Sequence, residues 1–420
     1  MVKILIATST FPVSAQDQVP GFVSDQANAL KHVEPSLELL VHAPHNAYSN
    51  SAAVDETHSA CRVQRYHYFW PYAWERLAGR GILPALKQNR LLYLQIPFFV
   101  FFQFLSLLAM TRRQRPDLLY AHWFTPQAIT TALVAKITGI PFVFTTHASD
   151  VTVLNNVPFS SRLVRQVCRK ASAYIAVSDR TAAKLTRFFN GARDQQALLS
   201  KLSLIPMGVT TELPAVAADT RNAVMARYGI PADRPSLLFI GRLAEKKGVK
   251  YLIQAVASLP TDLRNSFQLI IAGDGQLKSQ LQKLTADLTN VTYTGYVTGE
   301  DKWTLIDIAS FTCFPSIIDD AGDSEGFPVA IMECLAAGKI VLASDVTGAE
   351  AVLAENTAGI VFPQKDANAL AAAIQSTLEM GNSERQQLES NARRLAQEFD
   401  WETIARRHLN LFSRYLPDEL

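Results

Sequence analysis

The sequence predicts an α/β protein with two Rossmann-like domains that face each other across a cleft, and a last helix that packs across the joint. Two observations predict this class. Short β-rich runs alternate with longer helical patterns along the chain, which is typical of parallel sheets covered by helices. The 420 residues suit two ordinary domains, and the composition, 48% hydrophobic and 19% charged, is that of a globular protein.

Six strand candidates occur in each half of the sequence. They are the segments 2–9, 37–44, 117–123, 142–148, 173–178 and 202–208, and then 237–243, 267–275, 290–297, 310–316, 339–346 and 358–363. The predicted domains are 1–208, 209–390 and a closing segment 391–420, whose helix returns towards the N-terminal domain. Ligands of such sheets bind beyond the carboxyl ends of the strands, so we expect the site in the cleft.

Cysteine usage and the N-terminus indicate the compartment. The four cysteines are scattered and form no CxxC pair or metal-ligand spacing, which is typical of free thiols in a reducing compartment. The first ten residues, MVKILIATST, run directly into a strand and have no pattern of a cleavable signal peptide. We therefore expect a cytoplasmic protein.

Charge is distributed unevenly along the chain. Residues 1–208 contain 21 Lys and Arg against 11 Asp and Glu, whereas the rest contains 19 against 27. A basic first half predicts an anionic partner. The basic residues form no dense run interleaved with aromatic residues, so nucleic acid is not expected. An anionic membrane surface fits better.

The segment 91–110 is the most apolar part of the sequence, with sixteen apolar residues of twenty. This approaches a membrane span, but strands of one sheet should precede and follow it, and a crossing would separate them. Two alternatives remain open. The segment is either a buried crossover helix or a helix lying on the membrane, where flanking cations would meet anionic headgroups. These cations are Lys87, Arg90, Arg112, Arg113 and Arg115.

The stretch SEGFPVAIMECLAAGK, residues 324–339, predicts a helix that begins at Pro328 and ends at Gly338. Glu333 falls on the face shared by Val329, Met332, Ala336 and Ala337, where a carboxylate facing a core is costly unless something binds it. Glu325 stands eight residues earlier, which spans on the order of 10 Å along a helix. That length matches a sugar–diphosphate–ribose unit. Alone, the spacing favours a structural interpretation, in which one glutamate caps the helix and the other forms a salt bridge.

The stretch GRLAEKKGVKYLI places two cations after an apolar strand, Arg242 and Lys247. An arginine fork and a lysine point charge suit a diphosphate. Taken alone, the stretch fits a solvated basic turn. Together with the amides expected at the N-terminus of the helix after Pro328, it indicates an anion site.

These motifs together resemble family 4 of the retaining, nucleotide-sugar-dependent glycosyltransferases, which have the GT-B fold. The second half carries GRLAEKKG, AGDGQLKSQL, TGYV, FPSIIDDAGDSEGFPVAIMECLAAGKIVLASDVTG and AGIVFPQKDANALAAAI in family order. The first half carries STFP with Gly21, AHWFTPQA, TTHASDV, AVSDRTAAKL and IPMGV. The acidic insert IIDDAGD is similar to members that build bacterial surface polysaccharides.

The resemblance assigns roles to individual residues. It implies that Arg242 and Lys247 bind the donor diphosphate and that Glu333 binds the ribose. The remaining donor contacts that it implies are Gly21, Val297 against the base, and Glu325, Gly326, Phe327, Pro328 and Val329 around the sugar and phosphate. It places His147 towards the reacting sugar and Asp150 near the acceptor. The catalytic set is thus His147, Glu325, Arg242 and Lys247, while His122 is interpreted as structural.

Three positions depart from the family pattern. Met207 replaces the usual Asn, Thr210 replaces a common Asp, and Ala148 stands where Gly is frequent. These positions belong to the interdomain loop and the acceptor side. They weaken inference about the acceptor more than inference about the donor.

The resemblance implies a hexosyltransferase-type enzyme that transfers a sugar from a nucleotide-diphosphate sugar to a lipid-linked or glycan acceptor. The basic first half and the flanking cations of the segment 91–110 predict that it associates with the inner face of the cell membrane. Attack and departure occur on one face of the sugar, so no separate carboxylate base is required. No Asp-x-Asp triplet occurs in the sequence, and no cofactor or metal is expected. Two alternatives remain: a nucleotide-sugar epimerase on the same fold, and a non-catalytic membrane partner of a polysaccharide synthesis complex.

Overall fold

A computed structural model describes residues 2–13, 21–47, 55–58, 60–78, 81–147, 149–320 and 322–417, with the backbone alone at 55–58, 84 and 156. Ala148 and Ala321, in two of the motifs above, lie outside the described residues. The chain divides into two compact units, Met1–Gly208 with Trp401–Leu420, and Val209–Asp400. Each unit is built on one mainly parallel sheet, which confirms the predicted class of two Rossmann-like α/β domains.

The sheet of the first unit has eight strands. They are β1 Lys3–Ala7, β2 Glu38–Pro44, β3 Asp55–His58, β4 Cys61–Tyr66, β5 Leu118–His122, β6 Phe142–Thr146, β7 Ala173–Ala176 and β8 Leu202–Leu204. Their order is β3-β4-β2-β1-β5-β6-β7-β8, and only β3 runs antiparallel to its neighbour. The sequence predicted six of these strands. It missed β3 and β4, because DETH is entirely polar and CRVQRY mixes charged and apolar residues.

The helices of the first unit flank this sheet. They are α1 Phe22–Val33, α2 Ile82–Gln88, α3 Ile96–Gln114, α4 Ile129–Thr138, α5 Ser149–Thr152, α6 Ser160–Lys170, α7 Asp179–Thr186 and α8 Gln195–Leu199, together with the last helix of the chain, Trp401–Phe412. Apolar clusters cover both faces of the central strands, so β1, β5 and β6 are buried almost completely. This explains their continuous apolar sequences.

The last helix, Trp401–Phe412, packs against α1 through a buried polar network. Gln26 Nε2 lies 2.7 Å from His408 Nε2 and 3.3 Å from the hydroxyl oxygen of Tyr120. His408 Nδ1 donates to the carbonyl four residues earlier, so its Nε2 accepts from Gln26. A Cβ at Gly208 would lie 2.2 Å from the Trp401 ring, so this position requires glycine. The chain therefore closes the first unit with its last helix.

The segment 91–110 forms a 3-10 turn, Arg90–Gln95, followed by α3. One face of α3 is buried through Phe99, Gln103 and Leu107. The opposite face exposes six large apolar side chains of the turn and helix: Leu91, Leu94, Phe98, Phe101, Phe102 and Leu105. The buried-helix alternative thus holds for one face only.

The stretch Arg90–Gln114 has the length and apolarity of a membrane span, as one such helix among the described residues. However, β4 precedes it and β5 follows it, and both strands belong to one sheet. A crossing would place these strands on opposite sides of the membrane. The topology therefore disfavours a span and leaves the exposed face of α3 to be explained.

The second unit contains a six-stranded sheet with only parallel pairs. Its strands are β9 Ser236–Ile240, β10 Gln268–Ala272, β11 Val291–Gly295, β12 Phe311–Phe314, β13 Ile340–Ser344 and β14 Gly359–Phe362, in the order β11-β10-β9-β12-β13-β14. All six were predicted. Each carries a short apolar or β-branched run bounded by turn residues, which is the clearest strand signal in a sequence.

The helices of the second unit connect these strands. They are α9 Ala218–Tyr228, α10 Val249–Ser258, α11 Thr261–Asn265, α12 Lys278–Leu284, α13 Gly299–Ile308, α14 Val329–Ala336, α15 Glu350–Glu355, α16 Ala367–Glu379 and α17 Asn382–Gln397. We label the last helix of the chain, Trp401–Phe412, α18. Where the unit begins and ends, Thr211 Oγ1 donates to Asp400 Oδ2 at 2.6 Å. Of the two departures near this point, Met207 is buried and Thr210 is exposed.

Candidate functional site

The loops that follow β9 and β10 meet at the carboxyl edge of the second sheet. The Gly241 amide donates to the Ala272 carbonyl at 2.9 Å. A Cβ at Gly273 would lie only 1.8 Å from the Gly241 carbonyl oxygen, so the two backbones touch where no side chain fits. This contact fixes the start of the loop that carries Arg242 and Lys247.

Two lysines of this loop pair with two carboxylates of the segment before α14. Lys247 Nζ lies 3.0 Å from Glu325 Oε2. Lys246 Nζ lies 3.1 Å from Asp323 Oδ2 and 3.5 Å from Glu325 Oε1. Burial alone would raise the pKa of Glu325, but the two ammonium groups lower it to about 2. These four residues, the lysine–acid cluster, therefore carry balanced charges at neutral pH.

Arg242 differs from the lysines beside it. It is exposed, and within the described part of the chain no carboxylate lies within 4.0 Å of its guanidinium. Its charge is therefore not compensated by a neighbouring side chain. At this edge of the sheet, Arg242 is available to an anionic ligand.

The N-terminus of α14 supplies further positive potential. The helix begins at Val329 after Pro328, whose backbone is extended. The amides of Gly326 and Phe327 have no acceptor among the described residues. A Cβ at Gly348 would lie 1.9 Å from the Gly326 carbonyl oxygen, so the turn before the helix is held by close backbone packing. Free amides and the helix dipole together favour an anion.

Glu333 binds a lysine that the sequence analysis did not identify. Its Oε1 accepts a hydrogen bond from Lys302 Nζ at 2.6 Å. The expectation that the Glu333 face points into the core holds only in part. Met332 on this face is fully buried, but Val329, Ala336 and Ala337 are partly exposed, and 13% of the Glu333 side chain is exposed. Lys302 lies near the start of α13, where the helix dipole disfavours a cation. A lysine in this unfavourable position was the sequence signal that could have indicated a nearby carboxylate partner.

Val297 is buried, two residues beyond the end of β11, while the preceding Tyr296 is exposed. The structure thus brings Lys247 and Glu325 into direct contact and places Arg242 in the same loop as Lys247. The donor-binding roles of these residues, and the base contact of Val297, stay predictions.

In the first unit, His147 follows β6 and packs in an aromatic cluster. Its Nε2 lies 3.3 Å from His122 Nδ1, and its ring centroid lies 5.2 Å from that of Phe22, the residue after Gly21. Burial lowers the pKa of His147 to about 3 and that of His122 well below its ordinary value. Both imidazoles are therefore neutral at pH 7.

Asp150 is buried, and both of its carboxylate oxygens accept hydrogen bonds. Oδ1 accepts from the His147 amide at 3.0 Å and from Thr146 Oγ1 at 3.1 Å, and Oδ2 accepts from the Phe124 amide at 2.5 Å. Burial raises the pKa of Asp150 in spite of these bonds. Asp150 thus fixes the backbone at His147, and its predicted place near the acceptor stays a prediction.

Comparison with protein families identifies both halves of the chain. Residues 66–213 match the model described as Glycosyltransferase Family 4. Residues 220–395 match the model described as Glycosyl transferases group 1. The two matches together cover most of the chain and follow each other in sequence, one in each structural unit.

Individual relatives agree with these matches. The chain is 29% identical to an alpha-D-kanosaminyltransferase of Streptomyces kanamyceticus over 59% of this chain. It is also 29% identical to TuaC of Bacillus subtilis (strain 168), a putative teichuronic acid biosynthesis glycosyltransferase, over 64% of this chain. Each match covers 64% of the relative, which is slightly less than two thirds of its length.

Solved structures share the fold over nearly the whole chain. Sucrose-phosphate synthase from Thermosynechococcus elongatus matches with a TM-score of 0.74 and 21% identity, covering 99% of both chains. HepE from Anabaena, solved with UDP, matches with a TM-score of 0.71 and 19% identity, covering 99% of this chain and 100% of its own. The two family matches thus identify residues 66–213 and 220–395 as glycosyltransferase regions, and the solved structures show that the chain has the GT-B fold.

Proposed function

We propose that the protein is a retaining glycosyltransferase that moves a sugar from a nucleoside-diphosphate sugar to a hydroxyl group of a lipid-linked or surface-glycan acceptor. The observation that carries this proposal is the carboxyl edge of the second sheet. There the Lys247–Glu325 ion pair joins the Arg242 loop to the segment that opens α14. Arg242, Lys247 and the amides before α14 are the positive groups that a departing diphosphate needs.

In this proposal the donor diphosphate replaces water around Arg242, and Glu325 orients Lys247 through their 3.0 Å contact. Attack by the acceptor hydroxyl and departure of the diphosphate occur on one face of the sugar, and the leaving phosphate oxygen takes the acceptor proton. Asp150 fits this scheme because its oxygens already accept three hydrogen bonds, so it is not required as a base. The positive charge comes from side chains and amides, and we expect no metal requirement in the donor site.

Glu333 is the proposed acceptor of hydrogen bonds from the ribose. Its 2.6 Å contact with Lys302 orients the carboxylate and neutralises its charge before a ligand arrives. A carboxylate fixed in this way loses little side-chain entropy when it binds a diol. Lys302 is thus a positioning residue of the proposed site.

The relatives suggest which substrates to test first. HepE is described in complex with UDP, with UDP and glucose, and with UDP-glucose. TuaC is named for teichuronic acid biosynthesis, and AmsK of Erwinia amylovora, 36% identical over 33% of this chain, is named for amylovoran biosynthesis. These names support a UDP-sugar as donor and a surface polysaccharide intermediate as acceptor.

The first unit supports a position at the inner face of the cell membrane. The 3-10 turn exposes Leu94 and α3 exposes Phe98 and Phe101, and these apolar side chains lie between exposed cations at both ends of the segment. Apolar side chains flanked by arginine suit an interfacial helix on an anionic membrane. An acceptor carried on a lipid would be reached from this surface.

The test is product analysis with UDP-sugars and a lipid-linked acceptor extract. We expect a new glycoside with the anomeric configuration of the donor, measured by NMR. An inverted anomer would contradict the retaining mechanism. An epimerised nucleotide sugar formed without acceptor would establish the epimerase alternative instead. Absence of both turnover and binding across a broad donor panel would indicate a non-catalytic partner.

A further inference from the structure

A second group of polar side chains lies at the edge of the first sheet, outside the donor-binding residues. His45 comes one residue after β2, and His67 comes one residue after β4. These strands are parallel neighbours in register, so the two histidines lie side by side. Glu75 reaches them from the end of the 3-10 turn Tyr72–Trp74. We call these three residues the His–Glu cluster.

The cluster directs three ligand atoms to one point. Glu75 Oε2 lies 2.9 Å from His67 Nδ1 and in closer contact with His45 Nδ1. The other carboxylate oxygen, Oε1, accepts from the backbone amides of Tyr68 at 2.5 Å and Phe69 at 2.9 Å. Because Oε1 is held by the backbone, Oε2 is fixed in its direction towards the two imidazoles.

The charge of Glu75 needs compensation. Its side chain is completely buried, and within the described part of the chain only His45 and His67 lie within ion-pair distance of it. Burial alone would raise the pKa of Glu75, but hydrogen bonds from the two histidines and two amides lower it. A buried carboxylate without a cation is costly, and an ion held between Glu75 and the two imidazoles would supply the compensating charge.

We propose that His45, His67 and Glu75 bind a divalent transition-metal ion, with Zn²⁺ as the representative of the class. Two imidazole nitrogens and one carboxylate oxygen are ligands that such ions prefer. Bonds of about 2.0–2.1 Å at tetrahedral angles require ligand atoms roughly 3.3 Å apart. His67 Nδ1 lies 2.9 Å from Glu75 Oε2, and His45 Nδ1 lies closer to it, so both imidazoles must draw back from Oε2 to accommodate the ion, His45 further than His67.

The ion would fix an aromatic loop beside α3. The Tyr72 ring stacks on the His67 ring with centroids 3.7 Å apart. In the same loop Trp70 and Trp74 are exposed, and Phe69 lies 5.6 Å from Phe98 of α3, centroid to centroid. Binding would thus hold the exposed tryptophans next to the exposed apolar face of α3. The role of the ion is structural and separate from sugar transfer.

The test is titration of ZnCl2 into the untagged, chelator-dialysed full chain by calorimetry. We compare the wild type with His45→Ala, His67→Ala and the control His32→Ala, which removes an exposed histidine of α1. We expect one Zn²⁺ per chain in the wild type and in the control. Each cluster variant should lose at least the roughly 10- to 100-fold in affinity that outer-shell changes cost at metal sites.

Stoichiometric binding that is unchanged in both cluster variants would overturn the proposal, as would absence of binding in the wild type. In either case His45, His67 and Glu75 would form a hydrogen-bonded group that holds no ion. If a variant does not fold, the visible absorption spectrum of the wild type with added Co²⁺ tests the proposal instead. A strong visible d–d band of a four- or five-coordinate ion supports the cluster, whereas the weak spectrum of hexaaqua Co²⁺ overturns it.

Discussion

The two sheets end in chemically opposite edges. At the carboxyl edge of the second sheet, charged side chains dominate: the lysine–acid cluster is balanced, and Arg242 remains uncompensated and exposed. At the carboxyl edge of the first sheet, His122 is buried and His147 is half-buried, and the two imidazoles are neutral and in mutual contact. One edge presents positive groups to an anion, whereas the His122–His147 part of the other edge carries no charge.

This difference indicates a division of labour. A departing diphosphate requires fixed positive charge, whereas a sugar and an incoming hydroxyl require shape and hydrogen bonds. A neutral His147 can donate or accept a hydrogen bond without attracting the diphosphate. In the proposed function, the second unit supplies the electrostatics of transfer, and the role of His147 towards the sugar stays a prediction. The predictions below test this contrast.

The largest effect is expected from removing the uncompensated cation. Arg242→Ala should lower kcat roughly 100- to 1,000-fold, as loss of one preorganised group at a developing negative charge does. The matched control is Lys250→Ala, which removes an exposed cation of α10. Steady-state kinetics with a UDP-sugar measure both. Equal activity of Arg242→Ala and the control would contradict the proposal that Arg242 stabilises the departing diphosphate.

The next effect concerns the balance of the lysine–acid cluster. The pKa of Glu325 is lowered to about 2 from an ordinary 4.5, which corresponds to roughly 3 kcal/mol of stability. Because the folded-state pKa is the lower one, this stability is present above about pH 4.5 and is lost as the pH falls towards 2.

Urea unfolding of the wild type and Glu325→Gln at pH values from 7 to 3 measures this contribution. The difference in unfolding free energy should be largest near pH 7 and should shrink below about pH 4.5. The same substitution at Glu355, an exposed residue at the end of α15, is the control. A difference that does not depend on pH would show that Glu325 is not held by the lysines.

The first unit should bind anionic membranes through the exposed cations that flank α3. Each cation near an anionic membrane contributes about 1 kcal/mol, so Arg112→Gln with Arg113→Gln should weaken liposome binding roughly 30-fold. The double change Lys250→Gln with Lys283→Gln, in the second unit, is the control. Flotation measures binding, which should weaken as salt rises. Equal binding to anionic and neutral liposomes would contradict the membrane proposal.

A smaller effect is expected from Glu333, because the ribose that it is proposed to bind carries no charge. Glu333→Ala should raise the KM for donor about tenfold with little change in kcat, because ribose contacts are equal in the ground and transition states. Lys302→Ala should act in the same direction, and the double variant should be less than additive, because the two groups share one 2.6 Å contact. A large fall in kcat at unchanged KM would show that Glu333 has another role.

The sequence predicted most of the second unit and less of the first. The four central strands of the second sheet are buried throughout, as parallel strands covered on both faces are, and the edge strands β11 and β14 still carry β-branched or apolar residues. Strand β3 is the edge strand of the first sheet and β4 is its neighbour, and the polar residues in both sequences hid them. The same edge carries His45 and His67, which sequence reasoning therefore left unassigned.

Contacts between distant residues were the part that spacing did not predict. Glu325 and Glu333 were recognised from their positions in one motif, but Lys302, 31 residues before Glu333, was not. Likewise Asp150 was assigned by resemblance, whereas its bond to the Phe124 amide depends on the neighbouring strands β5 and β6. A sequence motif indicates which residues lie in the same loop. The contacts that each of these residues makes depend on tertiary packing and are not indicated by the motif.

Calorimetric titration of UDP in excess chelator tests the central claim most directly, namely that side chains and amides of the second unit supply the positive charge. We predict that the wild type binds UDP with the same Kd in EDTA and in Mn²⁺, and that Arg242→Ala binds it much more weakly in both. Binding that disappears in EDTA and returns with Mn²⁺ or Mg²⁺ would contradict the account, because a metal would then hold the diphosphate.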